Sequence, residues 1–119
     1  MNKNDILHCF NPVIYPQMVW IAVTTKSDLK GFSGLSKFGD DFEACTETIH
    51  DDIHNLGGIC IRFANKECMT TRNITHESIH AALDIFGYID SNINIEDQEP
   101  FCYLAGWIAE CCEKVKESL

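Results

Sequence analysis

Two histidines and a glutamate stand at the spacing of a metal-binding motif between positions 76 and 80. The segment is His76-Glu77-Ser78-Ile79-His80, which is an HExxH pattern. Because four residues are close to one helical turn, a helix would project both imidazoles from one face toward a single ion. Glu77 would lie about 100° further round that helix, within reach of a water activated by the ion. The pattern predicts a Zn2+ site with Glu77 as general base.

A tetrahedral catalytic zinc needs a third protein ligand and one position open to water. The acidic residues that follow the motif are the candidates: Asp84, Asp90, Glu96, Asp97 and Glu99. Asp84 shares the helix with both histidines and is predicted to act as a hydrogen-bond acceptor for one of them. Glu99 opens the last predicted helix, which can pack antiparallel to the histidine helix. Glu99 is therefore the predicted third ligand, with Glu96 as the alternative and a first-turn acid that complements the helix dipole as the structural interpretation of Glu99.

A second histidine pair occurs at His50-Asp51-Asp52-Ile53-His54. It also places two imidazoles four residues apart, but no glutamate follows the first histidine. The pair borders a run of apolar positions, so we interpret it as the polar shoulder of an amphipathic helix. A role near the active site, or an adventitious metal site, is the alternative.

The elements that must position these residues follow from the apolar spacing. Residues 19–25 and 58–63 are apolar and β-branched enough for buried strands, and a short third strand is possible over 67–70. A stripe with spacings of three or four predicts an amphipathic helix, ended by Gly57-Gly58. Its members are Phe38, Phe42, Cys45, Ile49 and Ile53.

Two more helices are predicted from the end signals. The histidine helix should run over about 73–86, capped by Asn73 or Thr75 and followed by Gly87; the last helix should run over about 98–119, capped by Asp97. The predicted fold is a single α+β domain over 1–119. It consists of a small sheet of about three strands packed by the amphipathic helix, the HExxH helix and the C-terminal helix.

Composition narrows the class of protein. The chain has 119 residues, enough for one domain, and a net charge of −9 that disfavours binding to nucleic acid or to an anionic membrane surface. No apolar run approaches a membrane span, and Met1–Asp5 lacks the features of a secretory signal. The seven cysteines include no CxxC pair, so we expect free thiols and a cytoplasmic protein.

The motif and its later glutamate resemble the gluzincin, or thermolysin-like, zinc metallopeptidases. His76–Ala81 together with the stretch Gln98–Trp107 looks more closely like small phage- and prophage-type proteins of minimal zincin design, as does Phe10–Pro16 upstream. That resemblance implies His76, His80 and Glu99 as zinc ligands and Glu77 as the base. It also implies an extended peptide held on a sheet edge beside the histidine helix, for which the segment 68–71 is the candidate.

The sequence departs from the thermolysin-like pattern at two points. The aspartate expected one turn after the glutamate ligand is replaced by Tyr103, and the chain is too short for the second domain that carries an oxyanion-stabilising side chain. Tyr103, Tyr88, His50 or His54 would have to substitute. The predicted function is a zinc-dependent metallopeptidase that hydrolyses peptide bonds. The alternative is a catalytically silent zincin-like module that binds a protein partner.

Overall fold

The computed structural model describes residues 7–119; the predicted absence of a secretory signal at Met1–Asp5 lies outside them. These residues form five strands and two helices. The strands are β1 Leu7–Phe10, β2 Met18–Val23, β3 Phe32–Ser33, β4 Ala44–Asp51 and β5 Leu56–Phe63; the helices are α1 Thr71–Tyr88 and α2 Glu99–Ser118. The class is α+β, as predicted.

The five strands form one mixed sheet in the order β1-β2-β5-β4-β3. β2 and β5 run parallel, with Met18 opposite Gly58 and Val23 opposite Phe63, and the other neighbours are antiparallel. The predicted architecture of about three strands and three helices is therefore wrong. β1 and β3 are additional strands, and the predicted amphipathic helix does not form.

The segment predicted as that amphipathic helix is the strand β4. Ile49 and Asp51 are buried at alternate positions, whereas Phe42 and Ile53 in the predicted apolar stripe are 60% and 63% exposed. A two-residue period thus describes the burial, and the spacing of three or four is coincidental. Gly57-Gly58 likewise lies within β5 and does not end a helix.

The possible third strand over 67–70 is also wrong. Lys66–Cys68 form one turn of 3-10 helix because the Asn65 side chain accepts a hydrogen bond from the Cys68 backbone N–H at 3.0 Å. This turn leads directly into α1. The segment 68–71 is therefore not a sheet edge and cannot hold a peptide as an added strand.

Both helices pack on one face of the sheet. The main core joins Val19, Ile21, Ile59, Ile61 and Phe63 of the strands to apolar residues of α1 and α2. These sheet residues alternate with Trp20, Ala22 and Cys60, which form a smaller cluster on the opposite face with Ile49. The alternation explains why β2 and β5, buried on both faces, are continuous apolar runs in the sequence.

The face without helices is closed by the loop between β2 and β4, which Arg62 holds in place. Its guanidinium is fully buried and donates to the Lys26 carbonyl at 2.9 Å and to the Ser36 carbonyl at 2.6 Å. The same group pairs with Glu47 Oε1 at 2.7 Å. An unpaired buried charge would be costly, so the ion pair with Glu47 stabilises the buried guanidinium and joins the side chains of β4 and β5. The bonds to the Lys26 and Ser36 carbonyls hold the loop against this pair.

Candidate functional site

The two motif histidines converge on one exposed patch of α1. Their Nε2 atoms are 3.1 Å apart, and the rings meet edge to face with centroids 4.7 Å apart. Two imidazole nitrogens in a tetrahedral zinc site, each about 2.05 Å from the metal, would be separated by about 3.3 Å. His76 and His80 therefore fit as two ligands of a shared ion.

Glu77 is the buried member of the motif. Only 7% of the residue is exposed, and its Oε1 accepts a hydrogen bond from the Thr46 hydroxyl at 2.7 Å. The same hydroxyl lies 3.2 Å from the Glu77 backbone carbonyl. The other carboxylate oxygen, Oε2, lies 4.0 Å from His76 Nε2. One oxygen is thus fixed by the sheet, and the other faces the histidines.

The start of α1 explains why these residues meet. Thr70 caps the helix by accepting from the Asn73 backbone N–H at 3.1 Å, in place of the predicted caps Asn73 and Thr75. The Asn73 side chain donates to Glu43 Oε1 and to the Cys68 carbonyl, both at 2.9 Å. These bonds fasten the first turn of α1 to the beginning of β4, so that Glu77 arrives one turn later beside Thr46.

β4 carries an open edge next to this site. β3 pairs with it only at Asp51 and His50. Within residues 7–119, the stretch 44–49 therefore has no strand partner on the side away from β5. Gly34 packs against the backbone of Thr48 and Ile49, so the open part of this edge is residues 44–47. An unpaired edge presents backbone N–H and C=O groups that an extended peptide can pair with.

The acidic residues proposed as third ligand do not join the histidines. Phe86 and Phe101 pack with ring centroids 5.5 Å apart, which sets the first turn of α2 beside the last turn of α1. Six residues of helix, about 9 Å, separate His80 from Phe86. Glu99 and Glu96 are exposed at that far end. Across the described part of the chain, no three His, Cys, Asp or Glu side chains converge as a metal-binding group.

Asp84 lies one turn beyond His80 on α1. Burial raises the pKa of its carboxyl, and the nearby His80 partly opposes that rise. Tyr103 and Tyr88 are two of the four candidates for stabilising the oxyanion. Tyr103 is 74% exposed on α2, and Tyr88 is 66% exposed at the end of α1. Neither tyrosine has a hydrogen bond to the motif residues among those found in residues 7–119.

The second histidine pair lies on β4 and the turn after it, so the interpretation as the shoulder of a helix is wrong. His50 Nδ1 lies 2.8 Å from Asp52 Oδ1 and its Nε2 lies 3.0 Å from Asn55 Oδ1. His54 Nδ1 lies 2.8 Å from Asp51 Oδ2. The two rings have different partners and stabilise the hairpin turn.

Thr46 is not among the residues predicted from the sequence, because its segment is predicted to be helical. Thr46 and Thr48 are β-branched and alternate with Cys45, Glu47 and Ile49. This two-residue alternation is the signal that could have predicted a strand through Thr46.

Free cysteines were predicted from the sequence. All seven lie in the described range without a disulfide; Cys60, Cys111 and Cys112 are buried, and burial raises the pKa of Cys112 to about 12.

Neither helix within residues 7–119 is both long and apolar enough to span a bilayer. Comparison of the chain with protein-family models, with curated proteins and with solved structures finds no match. The assignment of this site therefore depends on its own residues and geometry.

Proposed function

We propose that this chain is a zinc-dependent peptide hydrolase of the minimal gluzincin type. The observation that carries the proposal is the arrangement of the motif: two Nε2 atoms 3.1 Å apart beside a buried carboxylate with one oxygen free. A helix with two incidental surface histidines would not require a buried glutamate anchored to the neighbouring strand. Burial of an acid is costly unless it is hydrogen-bonded, and only Oε1 of Glu77 has a donor among the bonds found in residues 7–119. The second oxygen, left without a donor beside His76, favours a chemical role.

His76 and His80 are the proposed zinc ligands, and Glu77 is the proposed general base. When bound, zinc would supply a Lewis acid that lowers the pKa of water and polarises a carbonyl. Glu77 accepts a proton from the attacking water and returns it to the leaving amine. The Thr46 hydroxyl holds Oε1 during both transfers, which leaves Oε2 as the oxygen that carries the proton.

Glu99 remains the proposed third ligand, with Glu96 as the alternative. Both stand in or just before the first turn of α2 and are exposed, so neither carboxylate is engaged in the core. The connection between α1 and α2 is the segment 89–98. A rearrangement of that connection on metal binding is part of the proposal, since the contact between Phe86 and Phe101 holds the first turn of α2 beside the last turn of α1. That contact is about 9 Å along α1 from His80.

The proposed substrate is a peptide in extended conformation on the open edge of β4. The support is the position of that edge: Thr46, at its centre, contacts the general base directly. A peptide paired with residues 44–47 would bring its backbone carbonyls past Glu77 and the histidines. We place this activity in the cytoplasm, consistent with seven free thiols.

The test of the catalytic role is Glu77→Gln measured against a mixed peptide library with zinc present. The amide keeps the hydrogen bond with Thr46 and the volume of the side chain but cannot accept the proton. Cleavage should fall by at least about 100-fold, which is the usual contribution of a general base, while zinc content stays unchanged. Undiminished cleavage by Glu77→Gln would refute the base assignment.

The second candidate is a zincin-like interaction module without hydrolytic activity. It is favoured by the separation of Glu99 from the histidines and by the exposure of Tyr103 and Tyr88, which leaves the oxyanion-stabilising donor unassigned. The same library experiment separates the two candidates. Zinc-loaded parent protein that binds peptides on the β4 edge but cleaves none would establish the module.

A further inference from the structure

The face of the sheet that carries no helix is only partly covered. Arg62 fastens the loop after β2 over one part of that face, and a cavity of about 1060 Å3 remains beside it. The cavity lies between β1, this loop and the turn from β4 to β5. Its volume is at about the upper limit of small-ligand pockets. No residue of α1 or α2 lines it, so the cavity is separate from the histidine pair.

The wall of this cavity is mainly apolar and borders the smaller core cluster. Trp20 of that cluster forms part of the wall, as do Leu7 and Phe32, which pack against the cluster. Ile53 and Leu56 also line the cavity, although they are 63% and 42% exposed. An apolar ligand would remove these side chains and its own surface from water together, which favours binding.

The rim of the cavity is held at both ends of the loop segment 26–31. The Lys26 carbonyl accepts from the buried Arg62 guanidinium at 2.9 Å. The Gly31 carbonyl accepts from the Asp52 backbone N–H at 2.8 Å. The shape of the cavity is therefore set by bonds within the protein, and a ligand does not have to order the loop when it binds.

The charges of the lining indicate which polar group the ligand carries. Four lining side chains are charged at neutral pH: Lys26, Asp28, Lys30 and Asp51. Asp51 is buried and engaged in the turn, because it accepts from two backbone N–H groups at 3.0 and 3.1 Å and lies 2.8 Å from His54 Nδ1. No ion pair within residues 7–119 includes any of the other three.

These three exposed side chains leave an excess of positive charge at the rim. Two lysines and one aspartate give a net charge of +1, in a chain whose overall net charge is −9. The two histidines of the lining, His8 and His54, can only add to this charge when protonated. A ligand with a single negative charge would neutralise the excess, whereas a cation would be repelled by the lysines.

We propose that this cavity binds a small amphipathic monoanion: an apolar chain that carries one carboxylate, as a medium-chain fatty acid does. The chain lies against the apolar wall of Leu7, Trp20 and Leu56, and the carboxylate pairs with Lys26 and Lys30 at the rim. Burial of the chain supplies most of the affinity. The lysines select the sign of the charge.

Two variants separate the contribution of charge from that of the apolar wall. Lys26→Gln combined with Lys30→Gln removes the positive charge of the rim; Lys37→Gln is the control, because Lys37 is exposed between β2 and β4 but does not line the cavity. Leu56→Gln makes part of the wall polar. Its control is Leu83→Gln, because Leu83 is 40% exposed on α1 and does not line the cavity.

The experiment is titration of zinc-free 15N-labelled protein with decanoate, followed through the indole N–H signals of Trp20 and Trp107. Decanol and decylamine are the neutral and cationic comparisons. We expect a saturable shift of the Trp20 signal, while Trp107, which does not line the cavity, stays in place. Decanoate should bind about tenfold more weakly to the double lysine variant, the scale of one or two exposed ion pairs. Leu56→Gln should weaken binding of decanoate and decanol alike, and both controls should bind decanoate as the parent does.

Three results would overturn the proposal: no saturable shift of the Trp20 signal, decanoate binding no tighter than decanol or decylamine, or parental affinity in the double lysine variant. The affinity should be the same in zinc-loaded protein, since neither motif histidine lines the cavity. Binding that requires zinc would assign the carboxylate to the metal and contradict the cavity. Binding in zinc-free protein stands even if the chain proves not to cleave peptides.

Discussion

At the scale of single residues, the contact between Thr46 and Glu77 distinguishes this motif from two histidines and a glutamate on a bare helix. A carboxylate with one oxygen held at 2.7 Å by a hydroxyl has a defined orientation. Its second oxygen is then available on the side of His76. The carboxylate of Glu77, the proposed general base, is therefore positioned by the strand next to α1 and by the helix itself.

Thr46→Val should reduce kcat of the proposed reaction about tenfold, the scale of one hydrogen bond to a charged group. Valine keeps the shape and β-branching of threonine but leaves Glu77 Oε1 without its donor. KM and zinc content should change little, because the substitution leaves the backbone groups of the peptide edge and the two imidazoles unchanged.

Thr46→Ser is the matched control, since it retains the hydroxyl and loses only a methyl group. It should recover most of the kcat that Thr46→Val loses. Equal losses in both variants would mean that the methyl packing matters and that the hydrogen bond does not orient the base.

The motif itself could be predicted from the sequence because its geometry is local: one helical turn sets the separation of His76 and His80. Thr46 could not be, since it reaches Glu77 only through a pairing of segments 31 residues apart. The third ligand is long-range in the same way. Its assignment depends on the packing of α2 against α1, which the sequence does not reveal.

At the scale of elements, the strand β5 shows how two adjacent glycines have different functions. A Cβ at Gly58 would clash with the backbone of Met18, where β5 and β2 approach each other, whereas a Cβ at Gly57 meets no atom within 4 Å. Read from the sequence, the pair resembles a helix end. In the fold, one glycine permits a close backbone contact, and the other borders open space.

Gly58→Ala should therefore destabilise the protein by roughly 2 kcal/mol or more, because backbone atoms of β2 would have to move. Gly57→Ala should change stability by at most about 0.5 kcal/mol, as expected of a substitution into open space. Chemical denaturation of both variants measures the difference. Equal unfolding free energies would contradict the described register between β2 and β5.

The turn between β4 and β5 is held by charged hydrogen bonds that depend on pH. The hydrogen bond with Asp52 raises the pKa of His50, and that with Asn55 adds to the effect. Asn55 has a positive φ of 55°, which asparagine tolerates better than most residues. The imidazole bridges the two ends of this strained turn.

A raised pKa in the folded state means that protonated His50 stabilises the fold. The contribution is fully present below the unfolded pKa of about 6.5, and it is lost as pH rises through the higher folded pKa. The Tm advantage of the parent over His50→Gln should thus be larger at about pH 5.5 than at about pH 8. An advantage independent of pH would show that protonation of His50 is irrelevant to the turn.

At the scale of the whole molecule, the sheet separates two environments. Both helices and the main core occupy one face, and the Arg62–Glu47 pair closes the other beneath the loop from β2. The α+β class and the helix pair were predictable, because their apolar stripes and end signals are local. The sheet order and the strands β1 and β3 were not predictable, because short strands are stabilised by pairing with strands distant in sequence.

The same arrangement places the histidine pair of α1 near the unpaired part of β4, because Glu77 of the motif contacts Thr46. Zinc at His76 and His80 is the central proposal, since without the metal the proposed hydrolysis cannot proceed.

The most direct test is the zinc content of protein purified without added metal and then reconstituted, determined by elemental analysis. The same measurement is made on the variants His80→Ala, Glu99→Ala and Glu96→Ala. About one zinc per chain is expected in the parent, in line with a single site formed by His76, His80 and the proposed third ligand Glu99. Zinc should be lost in His80→Ala and in Glu99→Ala, and retained in Glu96→Ala. A parent chain that binds no zinc after reconstitution, or a His80→Ala variant that binds as much as the parent, would contradict the proposed zinc site.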